Sequence, residues 1–203
     1  WTGRMRTIRR QWRTRPTMSN ADVAVTAARE ALESLVMDVP DWPEAGVLFK
    51  DITPVLADHD AFTAVIAGLA APGRDGDGTV VVDKVVGMEA RGFILAAPVA
   101  LALGTGFVPV RKAGKLPRET HGVGYDLEYG TATLEVRRDA IQPHERVLRV
   151  EDVLATGGAA AATRRLVEEC GGVCIGFSGL IELSDLGGRR QLGELPVSTV
   201  LTM

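Results

Sequence analysis

The first well-patterned stretch of the chain carries apolar residues at helical spacing. From Ala21 to Met37, the residues Val25, Ala28, Leu32, Leu35 and Val36 fall on one helix face. Pro40 and Pro43 break the pattern, so the segment to about Val47 reads as irregular. A second helix is predicted from Asp60 to Leu69, ended by the loop A-P-G-R-D-G-D-G at 71–78. Val80 to Val82 and Lys84 to Val86 read as short strands, the latter buried. Gly92 to Leu103 is apolar on most faces and predicts a buried helix, followed by a strand from Gly106 to Arg111. Gly114 to Gly124 is polar and rich in Gly and Pro, long enough for a functional loop. Thr131 to Val136 alternates as a strand does. Arg146 to Glu151 is predicted as a strand, Ala159 to Cys170 as a helix, and Val173 to Leu183 and Val197 to Leu201 as strands. Strands that alternate with helices predict an α/β fold with a mostly parallel central sheet flanked by helices. Ligands of such sheets bind beyond the carboxyl ends of the strands, where 87–93, 111–115 and 151–159 fall.

The 203 residues suffice for one domain with a full core. A net charge of −3 and 5% aromatic residues argue against nucleic acid as a partner. No apolar run approaches a membrane span. Residues 1–17 differ from the rest, with six arginines and no acid, and they begin with Trp. They are expected to be a disordered, non-native or upstream extension, although a transit peptide has a similar composition. The domain is expected to run from 18 to 203, with Met18 as the better start and Ser19 and Asn20 as helix caps. Cys170 and Cys174 lack the companions of a zinc site and are expected to be free thiols in a reducing compartment. His59, His121 and His144 show no metal spacing.

Residues 147–159 read V-L-R-V-E-D-V-L-A-T-G-G-A: an apolar run, two acids, a glycine loop and a helix start. Two adjacent glycines let backbone amides turn toward an anion, and the helix adds its free N–H groups and positive dipole end. Such a loop holds a phosphate. Glu151 and Asp152 would repel that phosphate, so they need something else to bind. Ribose hydroxyls, or a Mg²⁺ on the same ligand, meet that need. The implied ligand is a sugar phosphate. Neither the G-x-x-x-x-G-K-S/T loop nor the G-x-G-x-x-G fingerprint is present.

The 147–159 segment resembles the diphosphosugar-binding signature of type I phosphoribosyltransferases. F-K-D-I-T-P at 49–54, G-M-E-A-R-G-F at 87–93, V-P-V-R-K-A-G-K-L-P-R-E-T at 108–120, Y-D-L-E-Y-G at 125–130 and D-L-G-G at 185–188 are similar to ordered segments of adenine phosphoribosyltransferases. The resemblance runs from about Val39 to the C-terminus. It implies the type I phosphoribosyltransferase fold with a mobile catalytic loop. It further implies transfer of phosphoribosyl from phosphoribosyl diphosphate to adenine in purine salvage, by a cytoplasmic homodimer. Mg²⁺ would be carried by the diphosphate, with no direct protein ligand. Another purine phosphoribosyltransferase, a weakened paralogue, and a non-enzymatic phosphoribosyl-diphosphate sensor remain as alternatives. The last would need an appended DNA-binding module.

The same resemblance assigns roles. Arg91, Arg111, Lys112 and Lys115 would hold the diphosphate, with Arg111 reaching across a dimer interface and Arg91 also catalytic. Glu151 and Asp152 would take the ribose hydroxyls. Ala155, Thr156, Gly157, Gly158 and Ala159 would cradle the 5′-phosphate. Glu128 would sit near adenine N7, and Tyr129 would help close the loop. Leu48, Phe49 and Lys50 would line the adenine pocket. A cis peptide is expected at Glu89–Ala90.

Three positions depart from the family pattern. Glu151 stands where Asp is usual and moves a carboxylate by roughly 1 Å. Ala159 stands where Thr or Ser is usual, and loss of a hydroxyl donor to phosphate costs about 1.5–3 kcal/mol. Arg149 replaces an apolar residue of a central strand, where it must find an acid, reach outward or destabilise the sheet. Since residues 1–17 lack apolar periodicity, deleting them is expected to leave activity and melting temperature nearly unchanged. A melting point lower by several degrees would show that they pack on the fold.

Overall fold

The computed structural model describes residues 19–126 and 130–203. Helix α1 (Asn20–Leu35) starts in a capping box: Ser19 Oγ accepts from the Asp22 N–H at 3.1 Å, and the Asp22 carboxylate accepts from the Ser19 N–H at 3.1 Å. It stops short of Met37 because Val36 is already extended. The segment expected to be irregular instead begins with strand β1 (Met37–Pro40), paired antiparallel with β2 (Leu48–Asp51). Four-residue strands are too short to display alternation, and Pro40 is tolerated at a strand end. The 41–47 turn holds a cis Trp42–Pro43 bond. Helix α2 (Thr53–Ala57), a single turn opened by Pro54, was not foreseen. Helix α3 (His59–Ala70) is capped by Asp58, whose side chain accepts from the Ala61 N–H at 2.8 Å.

The main sheet has seven strands. They are β3 (Lys84–Met88), β4 (Gly106–Lys112), β5 (Thr120–Asp126), β6 (Thr131–Arg137), β7 (Arg146–Leu154), β8 (Val173–Glu182) and β9 (Val197–Thr202). Their spatial order is β5-β6-β4-β3-β7-β8-β9. The run β4-β3-β7-β8-β9 is parallel, and β6 and β5 continue it antiparallel from β4. Val80–Val82 forms no strand, only a bridge from Val80 to Arg74. Part of the expected 114–124 loop is strand β5. Gly122 and Gly124 erase its alternation, yet its backbone pairs with β6 and its Val123 is buried.

Helices cover both faces. On one side α1, α3 and α4 (Arg91–Leu103) pack their apolar residues on Val85, Leu148, Val150 and Leu180. On the other, Ala162, Leu166 and Val167 of α5 (Gly158–Glu169) pack on Val86, Val110, Val147, Val123 and Leu134. Strand β7 is therefore buried on both faces, as a central parallel strand is. Alternation along β7 sets Arg149 on the side of Val147, under α5.

Helices α1 and α3 approach closely because Gly68 has no side chain: a Cβ there would lie 2.7 Å from Ala28 Cβ. Gly68→Leu is expected to force the pair apart and destabilise the fold by about 1–3 kcal/mol. Urea unfolding midpoints compared with wild type check this, and an unchanged midpoint would show that the helices separate without cost.

Candidate active site

The carboxyl ends of β3 and β7, the β1–β2 hairpin and the start of α5 enclose one cavity of about 490 Å³. Of the residues singled out by sequence, Leu48, Phe49, Lys50, Arg91, Glu151, Asp152, Ala155, Thr156, Gly157 and Ala159 line it. Gly158 opens α5 and borders a neighbouring hollow with Thr156 and Arg165. Glu128 and Tyr129 lie outside the described residues.

The glycine loop is built as its composition requires. Gly157 has φ +86°, and a Cβ there would collide with the Gly188 carbonyl oxygen. Gly188 in turn leaves no room for a Cβ against the Ala155 carbonyl. The late D-L-G-G segment is thus the backing of the loop. Helix α5 follows Gly157 as its N-cap, with no side-chain cap and no acid in its first turn. Its first amides and dipole are left to an anion.

At the other end of the cavity, Phe49 packs edge-on against Trp42 at a centroid distance of 4.5 Å. The Arg91 guanidinium lies 5.0 Å from the Phe49 ring centre. Lys50 lines the cavity, but its ammonium is held by Asp38 at 2.7 Å. Val153 and Leu183 add apolar wall.

Between the two ends sit the acids, and each has a cation. Arg91 Nε lies 2.6 Å from Asp152 Oδ2. That approach is off the hydrogen-bond axis, so Oδ2 has no directed donor among the described residues. Glu151 Oε1 accepts from the Met88 N–H at 2.8 Å and lies 3.4 Å from Arg149 Nη2. The carboxylate also covers Gly92, where a Cβ would stand 2.7 Å from Oε2. Burial pushes the Glu151 carboxyl up, against the pull of Arg149. Arg149 thus found an acid rather than reaching outward, and it is only 3% exposed.

Of the remaining cations, Arg111 and Lys115 gather outside the cavity on Glu89, and Lys112 reaches it only through its backbone N–H. The Glu89 carboxylate accepts from Arg111 Nε at 2.9 Å, Lys115 Nζ at 2.9 Å and the Lys112 N–H at 3.1 Å. The resemblance implied that Arg111 crosses a dimer interface; within this chain it is held by Glu89. The Glu89–Ala90 peptide is cis, as expected. Sequence reasoning noted Glu89 only for that bond and missed it as the collector of these cations. It noted Arg149 only as a departure, not as a residue of the cavity wall. Met88, Tyr125 and Phe177 also line the cavity and were not foreseen. Met88 and Tyr125 stand at the ends of β3 and β5, which could have signalled them, whereas Phe177 in the middle of β8 carries no such signal.

Among the described residues, no group of three or more His, Cys, Asp or Glu could hold a metal ion. Cys170 and Cys174 are free.

Residues 55–192 match the phosphoribosyl transferase domain family. The chain belongs to that family. It is 64% identical over 174 residues to an adenine phosphoribosyltransferase of Nocardioides sp., covering 86% of this chain and 94% of the relative. It is 53% identical to that of Cutibacterium acnes, covering 88% of this chain and all of the relative. Among solved structures, the adenine phosphoribosyltransferase of Thermoanaerobacter pseudethanolicus superposes with a TM-score of 0.81 at 44% identity, covering 86% of this chain and 99% of that one. The Saccharomyces cerevisiae enzyme, solved with adenine and an imino-altritol bisphosphate, gives 0.82 at 38% identity, with 87% and 99% covered. Within the family, the chain sits among the adenine phosphoribosyltransferases.

Burial works to raise the Glu89 carboxyl, but the bonds from Lys115, Arg111 and the Lys112 N–H outweigh it and hold it at about 2. Stability from this group is full above the ordinary value of 4.5 and is lost as pH falls through about 2. Glu89→Gln is therefore expected to be less stable than wild type at neutral pH, with the gap closing between about pH 4.5 and 2. Urea midpoints measured across that range check it, and a gap that stays constant down to the acid end would contradict the assignment.

Proposed function

We infer that this chain transfers the 5-phosphoribosyl group of phosphoribosyl diphosphate to adenine, giving AMP and diphosphate in purine salvage. One observation carries the reading: a single cavity is lined by Phe49, by an acid pair linked to it through Arg91, and by the uncapped glycine loop that follows those acids in the chain. That order matches base, ribose and 5′-phosphate. The bond from C1′ to the diphosphate oxygen breaks with its electron pair going to the diphosphate. The bond from C1′ to adenine N9 forms, and the N9 proton is released.

The reacting carbon develops positive charge, so rate comes from positioning and electrostatics. Phe49 offers a stacking face to the purine, between Leu48 and the stem of Lys50. Asp152 and Glu151 orient the ribose hydroxyls. Ala155 to Ala159 supply amides to the 5′-phosphate, with the α5 dipole behind them. Arg91, Arg111, Lys112 and Lys115 balance the leaving diphosphate. For this, Arg111 and Lys115 exchange the Glu89 carboxylate for phosphate oxygens, which accept more hydrogen bonds than one carboxylate can. Glu128 shares a proton with adenine N7, and Tyr129 closes over the site.

Mg²⁺ fits as a companion of the substrate rather than a resident of the protein. The Asp152 carboxylate beside the site is already opposed by Arg91, so the ion would arrive on the diphosphate rather than be held by a protein side chain. When bound, the ion neutralises charge on the departing diphosphate. We assign the chain to the cytoplasm; no helix among the described residues is long and apolar enough to cross a membrane. A homodimer is supported by α4, which exposes Ile94 and Leu101 (45% and 81%) two turns apart on one face.

Diphosphate release measured in parallel with adenine, hypoxanthine, guanine and xanthine tests the reading. Adenine is expected to be preferred. Equal turnover of hypoxanthine or guanine would overturn the assignment of the base.

A further inference from the structure

The three departures at 149, 151 and 159 lie together. Arg149, Glu151 and Ala159 all line the cavity that holds the glycine loop. Arg149 is the unusual member. It is buried to 3% exposure on a strand covered on both faces. Its guanidinium sits 5.3 Å from the Phe177 ring centre, and the acid it pairs with, Glu151, lies 3.4 Å away. That acid already accepts the Met88 N–H through the same oxygen. Nε and Nη1 of Arg149 have no hydrogen-bond partner among the described residues. A guanidinium carries five donors and no acceptor, and leaving buried donors unmade is costly. This buried cation therefore stands in the wall of a cavity whose nearby loop and helix start are arranged for an anion.

We propose that Arg149 is a phosphate-binding residue, donating to the 5′-phosphate of the phosphoribosyl group in place of the hydroxyl absent at position 159. The proposal rests on the reading that loop 155–159 seats a sugar 5′-phosphate. The exchange is chemically sensible. Ala159 brings no hydroxyl to the loop, and a long cation in the wall of the same cavity brings a charge-assisted donor instead. Glu151, one methylene longer than Asp, reaches Arg149 and keeps the cation neutralised before an anion arrives. The three residues act as one unit, so their substitutions are not additive.

The test measures ribose 5-phosphate binding by calorimetry, with inorganic pyrophosphate as the control ligand. Four proteins are compared: wild type, Ala159→Thr, Arg149→Met/Glu151→Asp, and the triple variant. The double variant is expected to bind ribose 5-phosphate about tenfold more weakly while its pyrophosphate affinity stays within about twofold. Adding Ala159→Thr to the double variant is expected to recover about tenfold, but to gain less than about threefold on wild type. Wild-type affinity in the double variant would overturn the proposal, as would an equal gain from Ala159→Thr in both backgrounds. Should the double variant fail to melt cooperatively, Ala159→Thr on the wild-type chain decides. A gain under about threefold supports the proposal, and tenfold or more overturns it. Wild type that ignores ribose 5-phosphate would instead overturn the reading of the loop, and the proposal with it.

Discussion

Strand β7 lies at the centre of a parallel sheet, covered by helices on both faces, and still carries Arg149, Glu151 and Asp152. Charges in such a place persist only if each meets a partner within reach. That requirement organises the site around them. Asp152 draws Arg91 from the first turn of α4. Glu151 takes the Met88 amide from the end of β3 and lies against Gly92, where no side chain fits. The β3–α4 turn is thereby tied to the carboxyl end of β7. The glycine loop then follows directly, with Gly188 filling the space behind it.

The cations of the site fall into two groups by the acids that hold them. Arg91 and Arg149 are paired inside the cavity with acids of β7. Arg111 and Lys115 share one carboxylate, Glu89, outside it. Two cations on one acid leave an excess of positive charge at the strand ends. Because Glu89 also accepts the Lys112 amide, the 111–115 backbone is held beside the β3 terminus. A polyanion that replaces Glu89 meets donors already gathered, and little rearrangement is needed to bind it.

Much of this was legible in the sequence because the informative segments obey strong local rules. The apolar run to Glu151 and the glycines at 157 and 158 identify a strand, loop and helix without any tertiary information. The run of alternating strands and helices gives the parallel sheet. The failures have physical reasons. Strand β5 contains Gly122 and Gly124, so pairing with β6 holds it rather than side-chain alternation. The β1–β2 hairpin consists of strands too short for a period to be read. The pairings Glu89 with Arg111, and Lys50 with Asp38, join residues 22 and 12 positions apart. No spacing rule links such positions. Arg149 showed as a breach of pattern, but only the fold reveals that it shares a cavity wall with Ala159.

A buried ion pair is weak evidence for stability, since well-packed apolar residues of similar volume often hold a core as well or better. Arg149 and Glu151 are therefore poorly explained as devices to hold the sheet together. Their neighbours make the same point. Phe177 packs under the guanidinium with Leu154 and Ala160, a setting that an aliphatic side chain would fill with less desolvation. The guanidinium is kept where two of its nitrogens find no protein acceptor among the described residues. A strand selected for stability alone would shed such a residue. A strand whose end must meet a dianion gains from it, because a cation already stripped of water interacts more strongly with an arriving phosphate than a hydrated surface one does. The breach of the apolar pattern thus falls where sheet stability and anion binding make opposing demands on one side chain, and its chemistry follows the second.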